Sequence, residues 1–345
     1  MNLAELPIIV IALVFLSAAA VIAIAGTRMT RLADRLADLT GLGEAIFGAV
    51  LLGGITSLPG ILTSVVTAYQ GYAELAISNA VGGIAAQTAF LAVADIFYRR
   101  ANLEHAAASV QNLMQSALLA ALLAMPLIAM TAPAVSIYGV SPVSIALVAF
   151  YVFGVRLIAQ ARSNVFWYPH ETAETKIDEP EEAKADSDVD MRTVWAKFGG
   201  LAVIVAVAGY AVAQSGIALA ESTSLSQSVI GGLFTATATS LPELVISIAA
   251  VRRGALTLAV GGIIGGNCFD VLFIALADVA YREGSIYHAM TDQQVFIIAL
   301  TLLLNAILLL GLLRREKSGI GNIGFESFMV LLLYAGAFLV LSFTG

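Results

Sequence analysis

Apolar residues run in long blocks along this chain, and the polar residues fall into short breaks between them. Ten blocks are long enough, at about 20 mostly apolar residues each, to carry a helix across a bilayer. They cover roughly 6–26, 44–68, 73–97, 110–132, 141–161, 197–219, 227–250, 256–280, 292–313 and 324–343. The breaks are polar or charged, among them Arg28 to Gly43, Arg99 to Glu104, Arg252-Arg253 and Arg314 to Lys317. The pattern predicts an all-α polytopic membrane protein with ten transmembrane helices. No Lys or Arg precedes the first block. A secretory signal carries a positive n-region, so this block is read as a retained first span.

The basic residues orient the predicted helices, because Lys and Arg gather on the cytoplasmic side. Counted from an extracytoplasmic N-terminus, 16 of the 17 basic residues fall in the odd-numbered loops or on the span ends that border them, and only Arg282 does not. Both termini are therefore expected on the extracytoplasmic side of the cell (inner) membrane. The longest loop, Ser163 to Arg192, holds nine acids and three bases with few large apolar residues. It is too polar to bury a core of its own and reads as a solvated linker. Asp186, Asp188 and Asp190 are spaced like the start of a calcium loop. Met191 then stands where such a loop needs Gly, and Lys197 where it needs Glu, so an EF-hand is excluded.

Sliding the chain by 183 residues lays Gly48–Arg99 on Gly231–Arg282 without a gap, with 17 of 52 positions identical. The matches include Thr56-Ser57-Leu58-Pro59 over Thr239-Ser240-Leu241-Pro242, Gly82-Gly83 over Gly265-Gly266, and Ala94-Asp95 over Ala277-Asp278. Five spans per half is an odd number, so the second half enters the membrane from the opposite side. The expected organisation is two inverted five-helix repeats: an N-terminal half 1–162 (repeat segment 48–99), an acidic cytoplasmic linker 163–196, and a C-terminal half 197–345 (repeat segment 231–282). Inverted repeats of this kind mark secondary transporters, whose site lies near the midplane.

Composition narrows the solvent and the partners. The chain is 59% hydrophobic and 12% charged, far from the balance of a water-soluble domain, so the expected partners are the lipid bilayer and small cations. A net charge of −7 argues against nucleic acid. The single cysteine, Cys268, rules out an intrachain disulfide. No GxxxxGK[ST] loop is present, which leaves no nucleotide partner and points to ion gradients as the energy source.

Nearly all of the acids lie in loops or at span ends. Glu243 and Asp270 lie inside predicted spans, where a charge costs at least about 2.5–3.5 kcal/mol and marks a functional site by default. Thr239 and Ser240 precede Glu243 by four and three residues and share its helical face, and Ser247 extends that face by a turn. Asn267 and Asp270 are three apart on the next span. Pro242 has no N–H, so the carbonyl of Ala238 loses its helical partner, and Pro59 does the same to Ile55. Freed carbonyls persist in a bilayer only inside protein or along a watery cavity. Carboxylate, hydroxyl, amide and carbonyl oxygens together suit hard cations such as Na⁺, Ca²⁺ or Mg²⁺. The glycines at 82, 83, 261, 262, 265 and 266 read as helix-packing positions.

At these residues the chain resembles the calcium/cation antiporter superfamily, the sodium/calcium exchangers and their prokaryotic relatives. Ala238-Thr239-Ser240-Leu241-Pro242-Glu243 and Gly265-Gly266-Asn267-Cys268-Phe269-Asp270 are similar to the two motifs of that family's second repeat. The resemblance implies exchange of Ca²⁺, Na⁺ or H⁺ by alternating access, with no cofactor. It places ion ligands at Glu243, Asp270, Thr239, Ser240 and the Ala238 carbonyl, and, in the first half, at Thr56, Ser57, the Ile55 carbonyl and Gln87. The first repeat departs from the family: Gly60 stands where the family has Glu, Gln87 lies opposite Asp270, Ile84 lies opposite Asn267, and Gly83 and Gly266 replace small polar residues. At most −2 remains, from two acids of one repeat. The vacated ligands imply an altered ion choice or stoichiometry, including proton coupling through Glu243, and Gly60→Glu is expected to raise divalent affinity.

Two other classes compete with this reading. A transport-inactive relative acting as a membrane scaffold or ion sensor fits Gly60 but not the surviving Glu243 and Asp270. An intramembrane enzyme lacks its signature: His105, His170 and His288 are scattered over loops, HExxH is absent, and zinc chemistry needs clustered His or Cys. The expectation is a transporter and not an enzyme.

Overall fold

A computed structural model describes residues 3–40, 54, 56–98, 101–163, 170, 191–317, 319 and 323–344. Among the described residues the chain is helical, and its one β-bridge joins Ile137 and Val140. Eight helices are long and apolar enough to cross a membrane: Ile8–Ala33, Ala73–Asp95, Val110–Thr131, Pro142–Ala161, Met191–Ser222, Leu256–Ala280, Asp292–Arg314 and Phe325–Phe343. Gln227–Thr239 and Leu241–Arg253 form a bent pair, turned by 48°, that makes a ninth if the two are one span. Leu58–Tyr69 is apolar but short. The first half of the second predicted span falls on residues outside the described set.

The protein is a multi-span integral membrane protein built of helices. Some of its boundaries differ from those of the sequence pattern. The first helix does not stop at residue 26: it passes through a π-helical turn, Ile22–Gly26, and continues as Thr27–Thr40. The hydrophobic block ends where Arg28 begins, but good helix formers carry the backbone onward as an amphipathic extension. The helix Met191–Ser222 likewise starts six residues inside the segment read as linker.

The Ala73–Asp95 helix is the centre of the bundle. Its apolar window is 89% buried, against 33% for Ile8–Ala33, so the first is walled by protein and the second leaves most of its surface to lipid. It packs against Leu58–Tyr69, the π-helical turn Ile230–Thr235, Leu256–Asp270, Asp292–Arg314 and Phe325–Thr344. Glycine sets the closest of these approaches. A Cβ added to Gly82 would lie 2.3 Å from the Gly232 carbonyl oxygen, so no larger residue lets the two backbones meet.

The two serine–leucine–proline segments adopt one geometry. Ser57 (φ −87°, ψ 6°) and Ser240 (φ −97°, ψ 7°) each leave the helical well just before a helix with Pro in its first turn, where a missing N–H costs nothing. The 183-residue offset recurs in the hydrogen bonds. Ser57 bonds Asp270 while Gln87 bonds Ser240, and Gln87 bonds Asp270 across the offset itself. Further out, the backbone N–H groups of Leu103 and Gly324 donate to Asp95, as those of Ile286 and Ser141 donate to Asp278.

Candidate cation site

At the centre of the bundle lies a cavity of about 10 Å³, room for about one water or one bare ion. It is lined by Ser57, Gly60, Asn79, Gly83, Gln87, Thr239, Ser240, Glu243, Asp270 and Phe273. Four segments meet there: the two serine–leucine–proline breaks, the middle of Ala73–Asp95, and the junction of Leu256–Asp270 with Leu272–Ala280.

Asp270 is held from the first half of the chain. Its Oδ1 accepts from the Ser57 hydroxyl at 2.6 Å and its Oδ2 from the Gln87 amide at 2.6 Å. Gln87 Nε2 also reaches the Ser240 hydroxyl at 3.3 Å. Asp270 and Gln87 are each 2% exposed, so these contacts replace water for a carboxylate in a low-dielectric interior. Glu243 is held differently. Its residue is partly exposed overall, yet its Oε2 is enclosed and has no hydrogen-bond partner, and the Gln87 Oε1 is also without one. Two bare acceptor oxygens therefore sit in the wall of a protein-lined cavity, an arrangement that a cation or a proton would satisfy.

Six of the ten side chains or carbonyls expected from the sequence line the cavity: Ser57, Gln87, Thr239, Ser240, Glu243 and Asp270. Thr239 spends its hydroxyl proton on its own helix, donating toward Thr235 and Ala236, which leaves its oxygen as an acceptor. Asn267 is not drawn in; its amide donates to Thr88 at 3.2 Å. Ala238 packs with Phe15, Ala18, Ala19 and Ile22, and neither it nor Thr56 lines the cavity. Ile55 lies outside the described residues. Gly83 borders the cavity, whereas Gly261 and Gly265 face Asn112 and Gln115 on the Val110–Thr131 helix.

Sequence reasoning missed Asn79 and Phe273. Asn79 donates to the Gly60 carbonyl and to Ser64 and accepts from Thr235. Its signal was its spacing, eight residues before Gln87 and so on the same helical face. Phe273 left no polar signal. Its ring fills the space beside Gly60, where an added Cβ would lie 2.6 Å from Cε2. The place of a first-half carboxylate is thus taken by an aromatic edge.

Among the described residues no group of three or more His, Cys, Asp or Glu side chains is gathered so as to cage a metal ion. Any cation in the cavity would rely on two carboxylates supplemented by hydroxyl and amide oxygens, a donor set for weakly held, exchangeable hard cations.

A sequence model of the family described as sodium/calcium exchanger protein matches residues 10–161 and 193–344. Sodium/calcium exchanger MaX1 of Methanosarcina acetivorans is 31% identical over 135 residues, covering 39% of this chain and 38% of that protein. The chain thus aligns with well under two thirds of that relative's length. The solved structure of the sodium-calcium exchanger NCX_Mj, soaked with Na⁺ and Sr²⁺, superposes with a TM-score of 0.58 at 19% identity, covering 96% of this chain and 99% of that one. The crystal structure of the H⁺/Ca²⁺ exchanger CAX gives 0.65 at 15% identity, covering 97% and 85%. At these identities the structural likeness is one of fold.

Proposed function

The chain belongs to the sodium/calcium exchanger protein family, and on that premise we propose that it is a secondary antiporter that carries one Ca²⁺ per cycle against Na⁺ or H⁺. The observation that carries this reading is the bare Glu243 Oε2 in a cavity that Asp270 and other oxygen-bearing side chains share. Two carboxylates supply a charge of −2, which one Ca²⁺ neutralises. A cavity sized for about one ion fits one divalent cation better than a simultaneous load of several Na⁺. With the cation gone, the same two oxygens are left to protons or to Na⁺ entering in turn. The H⁺/Ca²⁺ exchanger among the structural neighbours supports the proton variant of that cycle. The ligand set in this reading is Glu243, Asp270, Ser57, Gln87, Ser240 and Thr239. The Ala238 carbonyl, Thr56 and Asn267 do not line the cavity and in this reading join the ligand set only when the breaks move.

The cycle proposed is alternating access between two inverted five-helix halves, 1–162 and 197–345, joined by an acidic cytoplasmic linker, with ten spans and both termini extracytoplasmic. Support comes from the hydrogen bonds repeated at the 183-residue offset and from the distribution of basic residues. Asp270 of one half is held by Ser57 and Gln87 of the other, so moving one half against its mate re-aims the ion's ligands and moves the barrier across it.

Gradient-driven ⁴⁵Ca²⁺ uptake into proteoliposomes tests the proposal, with Na⁺ and pH gradients imposed separately. Uptake should follow one of the two gradients and fall to background in Glu243→Gln and in Asp270→Asn. Equal uptake by wild type and both variants would refute the site.

A further inference from the structure

Away from the cavity, three carboxylates converge at one end of the bundle. Asp95 ends the Ala73–Asp95 helix, Glu104 lies in the short helix Leu103–Ala106, and Glu326 lies in the first turn of Phe325–Thr344. They are 0%, 5% and 6% exposed. Asp95 is fully engaged, accepting from the backbone N–H groups of Leu103 (2.7 Å) and Gly324 (3.0 Å). Glu104 Oε1 accepts from the Ser327 hydroxyl at 2.8 Å, while its Oε2 is buried with no partner. A Cβ added to Gly324 would lie 3.1 Å from that oxygen and 3.4 Å from both Glu326 Oε2 and the Asn102 amide nitrogen, and the stems of both acidic side chains cross Gly311.

The opposite end of the bundle holds a control for what structure alone requires there. At the 183-residue offset, Asp278 answers Asp95, Ile286 answers Leu103, Ser141 answers Gly324 and Ser144 answers Ser327, and each makes the corresponding hydrogen bond. Ser144 donates to Asp278, and its oxygen lies 2.8 Å from the Tyr287 hydroxyl. Tyr287 stands where Glu104 does, and Val143 where Glu326 does. One architecture is thus closed at one end by a phenol and an apolar residue and loaded at the other with two extra acids. Bracing the helix ends does not need those acids.

We propose that Asp95, Glu104 and Glu326 form a proton-binding site separate from the central cavity, in which Glu104 and Glu326 share one proton. A proton from water binds Glu104 Oε2, the new O–H donates to the Glu326 carboxylate, and the charge of the trio falls from −3 to −2. A metal ion is the poorer occupant, because both Asp95 oxygens are already taken and the three acids are not drawn into a cage. Burial, and next to it the charge of Asp95, raises the Glu104 carboxyl from its ordinary 4.5 to about 7. The other charged or titratable groups on the packed elements are His105, Arg252, Arg314, Arg315, Glu316 and Lys317; Arg99 and Arg100 follow Asp95 in sequence outside the described residues. Arg314 pairs with Glu316, and Arg315 donates to the His105 carbonyl. Under the proposed topology this end faces the cytoplasm. Asp95 and Gln87 share one helix, eight residues or about 12 Å apart, so protonation here can bear on the segment that holds Asp270.

The test is pH-difference infrared spectroscopy of the purified full chain in detergent, which reads protonated carboxyl groups without requiring transport and is blind to His105. A protonated-carboxyl band should grow as pH falls through about 7. It should be lost in Glu104→Gln, shifted or lost in Glu326→Gln, and retained in the Glu243→Gln/Asp270→Asn double variant. Should Glu104→Gln fail to fold, Glu104→Tyr with Glu326→Val copies the opposite end and should fold without the band. A band unchanged in both Glu104 and Glu326 variants would overturn the proposal. So would its removal by added Ca²⁺ at fixed pH in the central-site double variant, which would assign the trio to a metal. The spectra can fail while Ca²⁺ flux stands, or the reverse, so this inference and the transport reading are separately refutable.

Discussion

At the residue scale, the missing first-half carboxylate and the Phe273 ring are two sides of one substitution. Gly60 leaves a void that the ring edge fills, so Gly60→Glu alone must displace an aromatic side chain from a packed core. Overpacking of that kind costs about 1–3 kcal/mol. This corrects the expectation from sequence that Gly60→Glu alone raises divalent affinity: the single variant should lose thermal stability and gain little affinity, whereas Gly60→Glu with Phe273→Ala should bind Ca²⁺ more tightly than wild type, by about tenfold or more in equilibrium ⁴⁵Ca²⁺ binding. Unchanged affinity in the double variant would separate Gly60 from the ion. Glu104 carries a pH signature of its own. Its folded value of about 7 lies above the ordinary 4.5, so the folded chain holds more protons than the unfolded one between those limits. The stabilisation from this group is complete below about pH 4.5 and is lost as pH rises through about 7. Wild-type Tm should therefore fall across that window by more than the Tm of Glu104→Gln, measured in one detergent at constant ionic strength.

At the element scale, the bend at Ser240 brings its hydroxyl to the cavity, which Ser57 reaches from the other half. A proline in the first turn forbids one backbone hydrogen bond, and the 48° turn at Ser240 aims Thr239, Ser240 and Glu243 inward from two short helices rather than along one straight face. Pro242→Ala restores an N–H for the Ala238 carbonyl. It should leave thermal stability unchanged or raised while cutting Ca²⁺ uptake at least tenfold, because a straightened span swings Glu243 out of line. Wild-type uptake by that variant would mean that the bend does not position the ligands. The proline and the repeat were legible in the chain. The π-helical turns at Ile22–Gly26 and Ile230–Thr235 were not, because a π turn answers to what packs against it rather than to local propensity.

At the scale of the whole molecule, the basic residues assign sidedness, and the proposed topology can be read chemically. The only cysteine, Cys268, is buried, so an engineered thiol labels without background. Cysteines placed at Ala4 and at Thr344 should react with a membrane-impermeant maleimide in intact cells, and one placed at His170 should react only after permeabilisation. Labelling of His170→Cys from outside would reverse the orientation. The same scale explains the unequal bundle ends. Hydrogen-bond frames related by 183 residues hold different loads, and two extra buried acids on one side give the ends different responses to pH.

The chain alone pointed to helices, to lipid, and to Glu243 and Asp270 as acids inside the predicted spans, because apolar run length and the cost of buried charge are properties of local sequence. It also carried the serine–leucine–proline pair and the offset that relates the two. Only the tertiary structure decided which oxygens meet. Ser57 and Gln87 reach Asp270 across 213 and 183 residues, Asn267 turns away to Thr88, and a phenylalanine edge closes the place left by Gly60. The trio of Asp95, Glu104 and Glu326 is assembled from three separate helices. Contacts of this kind depend on how helices cross, which is set by the fit of whole surfaces and not by the pattern along any one of them.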